Sequence, residues 1–294
     1  MTSLRSQVDA ATATLDEGGV PTPRIDALLL AAHALGCDRG EVERRMILGT
    51  QPGSGFAERF TALVEERATR VPLQHLTGTA PFRRLELHVG PGVFVPRPET
   101  EQAVDHVLAA LAALAGIDAP LVVDLCTGSG ALALAVADEA PTAEVTAVEL
   151  SDLALAWAAR NVESTGVPVT LVAADATADP GSVPGLADLV GRVDVVVSNP
   201  PYVPVGMVPL EPEVAEHDPE LALYGGSEDG LRIPLGVAAT AARLLRPGGL
   251  LVMEHADSQG QTLPRALAAT GAWVEVTDHA DLTGRPRTTT ARRA

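Results

Sequence analysis

Val122-Val123-Asp124-Leu125-Cys126-Thr127-Gly128-Ser129-Gly130-Ala131 reads as a short buried strand running into a glycine-rich turn and then a helix. Glycines in such a turn let the backbone approach a ligand closely, and the first turn of the helix offers free amide donors. Gly128 to Ala133 fits G-x-G-x-x-A, and Glu149 stands 19 residues beyond Gly130 at the end of the next apolar run. An acid there accepts the two hydroxyls of a ribose. The turn marks a mononucleotide-type site.

Outward from this turn the pattern alternates. Strands are expected at Leu121–Leu125, Val145–Leu150, Val169–Ala173, Val193–Ser198 and Leu250–Glu254, the last following a Pro247-Gly248-Gly249 turn. Helices are expected at Gln102–Ala115, Ala131–Asp138, Leu153–Asn161 and Leu231–Leu245. Strands spaced by helices imply right-handed crossovers and an α/β, doubly wound, mostly parallel sheet. Ligands bind such sheets beyond the carboxyl ends of the strands.

The strand ends carry acids in step. Asp124 closes the first strand just before the glycines, where it suits a cationic amino group or sulfonium and repels a pyrophosphate. That disfavours a dinucleotide. Asp175, after Ala173-Ala174, is placed to accept an exocyclic amine of adenine; alone it reads as a turn residue or helix cap.

The sharpest signal is Asn199-Pro200-Pro201-Tyr202, directly after Val193–Ser198. Two prolines fix the backbone and remove two N–H donors. The Asn199 amide oxygen and the Pro200 carbonyl then accept both hydrogens of a planar –NH2 group. The lone pair of such a nitrogen is delocalised, so drawing on both N–H bonds favours the pyramidal transition state. Tyr202 covers the planar group by stacking.

Charge narrows the substrate. The 294 residues hold 21 basic and 38 acidic side chains, net −17, and every basic one is Arg. Residues 1–96 carry 10 Arg against 11 acids; residues 97–294 carry 11 against 27. A deficit of cations argues against nucleic acid, which is bound through its phosphates. It suits a basic partner, as does Glu211–Glu220 with five acids in ten residues. Cys37 and Cys126 make neither a disulfide framework nor a metal quartet, and the seven His lack H-x-x-H spacing. No bilayer-length apolar run occurs, since Val195–Leu210 contains four prolines. A cytoplasmic monomer with no metal and no membrane association is expected.

Before residue 97 the reading is different. Leu4–Leu15, Arg24–Leu35 and Phe56–Arg70 are helix-periodic. Leu85, Leu87 and Val89 alternate with Glu86 and His88, so Phe82–Val95 is expected to be a hairpin turning at Gly90-Pro91-Gly92. The division is residues 1–80, a helical domain; 81–96, a hairpin linker; and 97–294, the sheet domain. Trp157 and Trp273 read as packing residues.

Asp124–Gly130 together with Asn199–Tyr202 resembles the S-adenosylmethionine-dependent amino-group methyltransferases. Within them the chain closely resembles the peptide-chain release factor glutamine N5-methyltransferases (HemK/PrmC family). Pro72–Gly78, Pro91–Glu101, Glu220–Leu231 and Asp281–Arg287 carry the narrower match, which spans nearly the whole chain. The resemblance implies a Rossmann-like methyltransferase sheet with S-adenosyl-L-methionine as cofactor. It also implies, as substrate, the glutamine of the Gly-Gly-Gln loop of release factors, methylated on its side-chain amide nitrogen by in-line displacement. Carried over by motif, Asn199, Pro200, Pro201 and Tyr202 hold the substrate amide. Cys126, Thr127, Gly128, Ser129 and Gly130 cradle the methionine part, Asp124 lies by the sulfonium, Glu149 takes the ribose, and Asp175 with Ala176 the adenine. Asn199 also borders the cofactor. Arg97 and Glu99 border the mouth, and the helical domain docks substrate. The chain departs from the family pattern at Glu149 (more usually Asp), Cys126 (often Gly), Ala176 (often aromatic) and Met253–Ala256 (usually Glu-Ile-Gly). An N6-adenine DNA or guanine-N2 RNA methyltransferase presents an –NH2 to a similar motif and is the alternative.

Overall fold

In the computed structural model, which describes residues 3–114 and 116–294, contacts divide the chain into two units. One runs to Thr79 and includes Pro209–His217; the other holds Ala80–Val208 and Asp218–Ala294.

The first unit is helical: α1 Leu4–Glu17, α2 Pro23–Leu35, α3 Arg39–Leu48, α4 Phe56–Ala68 and α5 Leu73–Thr77. Ser3 caps α1 by accepting from Ser6 N, Pro23 opens α2, and Gly36 ends it with φ 63°. Leu4, Val8, Leu15, Leu30, Phe56 and Phe60 fill the core. α3 has no apolar periodicity that would predict it, because only Val42 and Met46 of its ten residues are buried. Its start is nonetheless marked by Asp38, whose side chain accepts from Glu41 N at 2.7 Å. Arg67, 5% exposed, is bonded to Asp26 and Glu213, and Arg70 also holds Glu213. Glu213 therefore belongs to this unit by contact, a correction to the expectation that its acidic stretch lies open to a basic partner.

The second unit opens, from Ala80, within a hairpin of β1 Thr79–Phe82 and β2 Leu85–His88. Its turn is at Arg83-Arg84, not at Gly90-Pro91-Gly92, and the second strand precedes the expected one. Arg83 takes φ 53°, and the anchoring outweighs the strain. Its amide donates to Glu101 Oε1, and its guanidinium forks onto Glu139 and reaches Asp105. Gly90 serves packing instead: a Cβ there would lie 2.7 Å from the Trp157 ring.

Among the described residues, this unit is built on a seven-stranded sheet in the order β5-β4-β3-β6-β7-β9-β8. The strands are β3 Leu121–Leu125, β4 Glu144–Glu149, β5 Thr170–Ala173, β6 Val193–Ser198, β7 Leu245–Glu254, β8 Trp273–Ala280 and β9 Pro286–Arg293. β3 to β7 are parallel and β9 is antiparallel to its neighbours. α6 Glu101–Ala112, α7 Ala131–Glu139 and α8 Asp152–Thr165 are joined by Arg232–Leu244 and Thr262–Ala269. The last residue of the expected helix Gln102–Ala115 lies outside the described residues.

Alternation along the strands separates two cores. Val122, Val195, Val197 and Val252 pack with α6 and α7, while Val123, Leu125, Val196 and Leu251 pack with Arg232–Leu244. Each such side chain contributes about 1.5–3 kcal/mol. Covering both faces makes the sheet doubly wound, as the apolar runs imply. The β8–β9 hairpin is not predicted by the sequence pattern, because Thr288, Thr289 and Thr290 carry no apolar alternation to mark it. Among the described residues, no helix is long and apolar enough to cross a membrane.

Candidate active site

Strand order reverses between β3 and β6, and at such a switch point the loops diverge to open a crevice. In the β3–β6 register Leu125 faces Ser198, so the glycine turn and Asn199 leave the sheet side by side. Ser198 Oγ donates to Leu125 O at 2.6 Å and fixes that alignment.

The turn is bent by Cys126 at φ 65°, Gly128 at 58° and Gly130 at 86°. A Cβ at Gly130 would press on Leu134 at 3.2 Å, so this glycine serves helix packing. A Cβ at Gly128 would meet nothing within 4 Å, so that glycine leaves an open cradle. Thr127 N donates to Val148 O at 3.0 Å and ties the turn to β4. Asn161 on α8 donates to Ser129 O at 2.9 Å and braces the turn from behind.

Glu149 ends β4 with its carboxylate held by three backbone amides, Gly128 to Oε2 and Leu150 and Ser151 to Oε1. A carboxylate has about four lone-pair sites, so it retains acceptor capacity. Asp124 is fully buried and accepts from Thr127 Oγ1 at 2.5 Å. Burial pushes it up to about 7, against the Thr127 bond. Asp175 is exposed, and its Oδ1 accepts from Thr177 N and Oγ1, closing a turn while Oδ2 stays available. Ala176 is buried in the core beneath. Burial and the neighbouring Glu149 push the Cys126 thiol up, so it remains protonated.

Beyond β6, Pro200 is buried and Asn199, Pro201 and Tyr202 are half-buried. Asn199 Nδ2 donates to Thr100 Oγ1 at 3.3 Å, which leaves its Oδ1 for another donor. The Tyr202 hydroxyl donates to Glu254 at 3.1 Å, and Gln259 donates to the Tyr202 carbonyl at 3.0 Å. The Glu220–Leu231 stretch clamps this loop: Val203 N donates to Leu223 O, and Gly225 N to Val203 O. A Cβ at Gly230 would fall 2.1 Å from Tyr202 O, so only glycine fits.

Arg97 pairs with Asp218 at 2.9 Å and lies over the Phe94 ring at 5.1 Å. Glu99 is half-buried and close enough to Tyr202, Glu254 and Arg287 to act on them electrostatically. With Glu213 and Asp218 both in ion pairs, two of the five acids of Glu211–Glu220 face Arg side chains of the chain itself.

A family model described as PrmC N-terminal domain matches residues 8–78, and one described as methyltransferase small domain matches residues 84–208. The chain is 50% identical to the release factor glutamine methyltransferase of Streptomyces coelicolor, over 100% of this chain and 99% of that protein. It is 51% identical to that of Mycolicibacterium smegmatis, again over 100% and 99%. The chain belongs to the release factor glutamine methyltransferase family. A further relative, the 4-amino-L-phenylalanine/4-methylamino-L-phenylalanine methyltransferase of Streptomyces pristinaespiralis, is 41% identical over 92% of this chain and 89% of that one.

The chain is a methyltransferase with S-adenosylmethionine as cofactor. Its residues fit that group: a glycine cradle open at Gly128, a held carboxylate at Glu149, and a buried acid at Asp124 suited to a cation. Four supporting residues have no role assigned from the sequence: Thr100, Glu254 and Arg287, which lie within the quoted family stretches, and Asn161, which lies outside them. Asn161 lies on the buried face of α8 with Ala154 and Ala158, a polar residue on an apolar stripe. Glu254 ends a strand as Asp124 and Glu149 do, and the same strand-end reading finds it.

Proposed function

We propose that this enzyme transfers the methyl group of S-adenosylmethionine to the side-chain amide nitrogen (N5) of the glutamine in the Gly-Gly-Gln motif of peptide-chain release factors. The observation that carries this reading is Asn199: its amide nitrogen is tied to Thr100, so its oxygen is presented beside the glycine turn.

Cys126–Gly130, Asp124 and Glu149 would hold the cofactor, with Asp175 at the adenine end. Bound there, it supplies a methyl group already activated by a sulfonium. The chain's own contribution is alignment and hydrogen bonding. Asn199 Oδ1 and the Pro200 carbonyl accept the two amide hydrogens, which draws density towards nitrogen as the transition state forms. Pro201 keeps the loop rigid, and Tyr202, fixed at its hydroxyl and its carbonyl, covers the planar group. Orientation of this kind contributes about 7–11 kcal/mol. Arg97 shapes the mouth through Asp218, and Glu99 lines it.

The partner is a release factor, engaged by residues 1–80 as a docking domain and favoured by the net −16 charge of residues 97–294. That charge also weighs against a DNA or RNA base as substrate. The free cysteines accord with a cytoplasmic enzyme, which is taken to act as a monomer. A second reading, an aromatic amine as substrate, is favoured by the 41% identical relative and shares the planar –NH2. Asn199→Ala is expected to lower turnover about a hundredfold or more, with cofactor affinity by calorimetry little changed. Wild-type turnover in that variant would remove the assignment.

A further inference from the structure

The carboxyl end of β7 carries a buried acid that the methyl-transfer chemistry leaves unused. Glu254 is 1% exposed and follows Met253, which faces Ser198 in the β6–β7 register; it therefore stands level with Asn199. Its Oε1 accepts from the Tyr202 hydroxyl at 3.1 Å. The Thr100 side chain lies close enough to the same carboxylate to favour its ionised form, and Thr100 Oγ1 accepts from Asn199 Nδ2 at 3.3 Å.

A hydroxyl has a single proton, whereas an ionised carboxylate only accepts. Beside the carboxylate of Glu254, the Thr100 hydroxyl proton is drawn towards that negative charge, which leaves its lone pairs for Asn199. Only the nitrogen end of the Asn199 amide can meet those lone pairs. The oxygen end is thereby turned to the substrate, where an inverted amide would set donor against donor.

Resting on the reading of Asn199 as the residue that holds the amide, we infer that Glu254 is a positioning residue: its carboxylate sets the direction of Asn199 through Thr100 and holds Tyr202 directly. The groups facing it are Tyr202 and Thr100, Arg287 on β9, and Glu99 ahead of α6. Burial pushes Glu254 up to about 7, with Thr100, Arg287 and Tyr202 opposing and Glu99 adding repulsion. Once protonated, Glu254 has a proton of its own to offer Thr100 or Tyr202, and the relay loses its direction. Turnover is therefore highest above that pH and falls as pH drops through it.

The test is kcat at saturating cofactor and release factor from about pH 5.5 to about 9. Glu254→Gln is expected to lower kcat about thirtyfold, to leave the cofactor KM nearly unchanged, and to lose the limb near neutrality. Any limb that Asp124 contributes is common to both proteins, so the difference between the profiles reports Glu254. Glu254→Asp is expected to restore part of the rate and the limb. A wild-type kcat in Glu254→Gln, or a lowered kcat that keeps the wild-type limb, overturns the inference. Should Glu254→Gln fail to fold, Thr100→Val serves in its place, and wild-type turnover there overturns it equally. Asn199→Ala run alongside separates the two readings. Wild-type turnover in Asn199→Ala removes the parent assignment, while an inactive Asn199→Ala beside an unaffected Glu254→Gln removes only this one.

Discussion

Asp124 is a carboxylate placed fully out of water and held by a single short side-chain bond. Raised to about 7, it is partly neutral under ordinary assay conditions. A cationic ligand favours its ionised form, so binding and deprotonation are linked. Affinity for S-adenosylmethionine is expected to weaken as pH falls below about 7, and Asp124→Asn to bind weakly at all pH values; calorimetry at several pH values decides it. Cys126 raises a different question, since a non-glycine residue at φ 65° is strained. Cys126→Gly relieves that strain and is expected to raise stability, read from the denaturation midpoint, by about 0.5–1 kcal/mol.

Among the elements, the parallel strands and their crossover helices are legible in the sequence because buried strands are continuous apolar runs between polar helix faces. The site is legible where an acid or Asn-Pro-Pro-Tyr ends such a run. It is not legible where long-range pairing decides: β8 and β9 take their places by antiparallel pairing, and Arg287 reaches the site only because β9 lies beside β7. Thr100 and the clamp on Tyr202 likewise depend on contacts far apart in sequence. The motif Glu220–Leu231 illustrates the gap, since its resemblance is plain in the sequence and its purpose is not. Gly225 and Gly230 are required by close approach to one another and to the Tyr202 carbonyl. Gly230→Ala is expected to cost about 2–4 kcal/mol and to lower kcat more than the cofactor KM. Chemical denaturation with parallel kinetics checks this.

At the scale of the whole molecule, the excess of acids has two fates. Some acids are bound internally, above all Glu213. Burial opposes its ionisation, yet Arg70 and Arg67 outweigh burial and hold it at about 2. A carboxyl lowered in the folded state stabilises above its unfolded value near 4.5 and loses that contribution as pH falls towards about 2. Glu213→Gln is expected to cost about 2 kcal/mol at neutral pH after solvent screening, with the difference from wild type vanishing in acid. The others stay unpaired, and with all acids counted residues 97–294 carry a net −16, which favours a protein substrate over a polyanion. That preference is open to a single direct measurement: incubate the enzyme with S-adenosylmethionine and a purified release factor, and map methylation by peptide mass. One added methyl is expected on the glutamine of Gly-Gly-Gln, absent with Asn199→Ala. An unmodified glutamine, with methyl transferred instead to nucleic acid or to a free aromatic amine, would contradict the assignment.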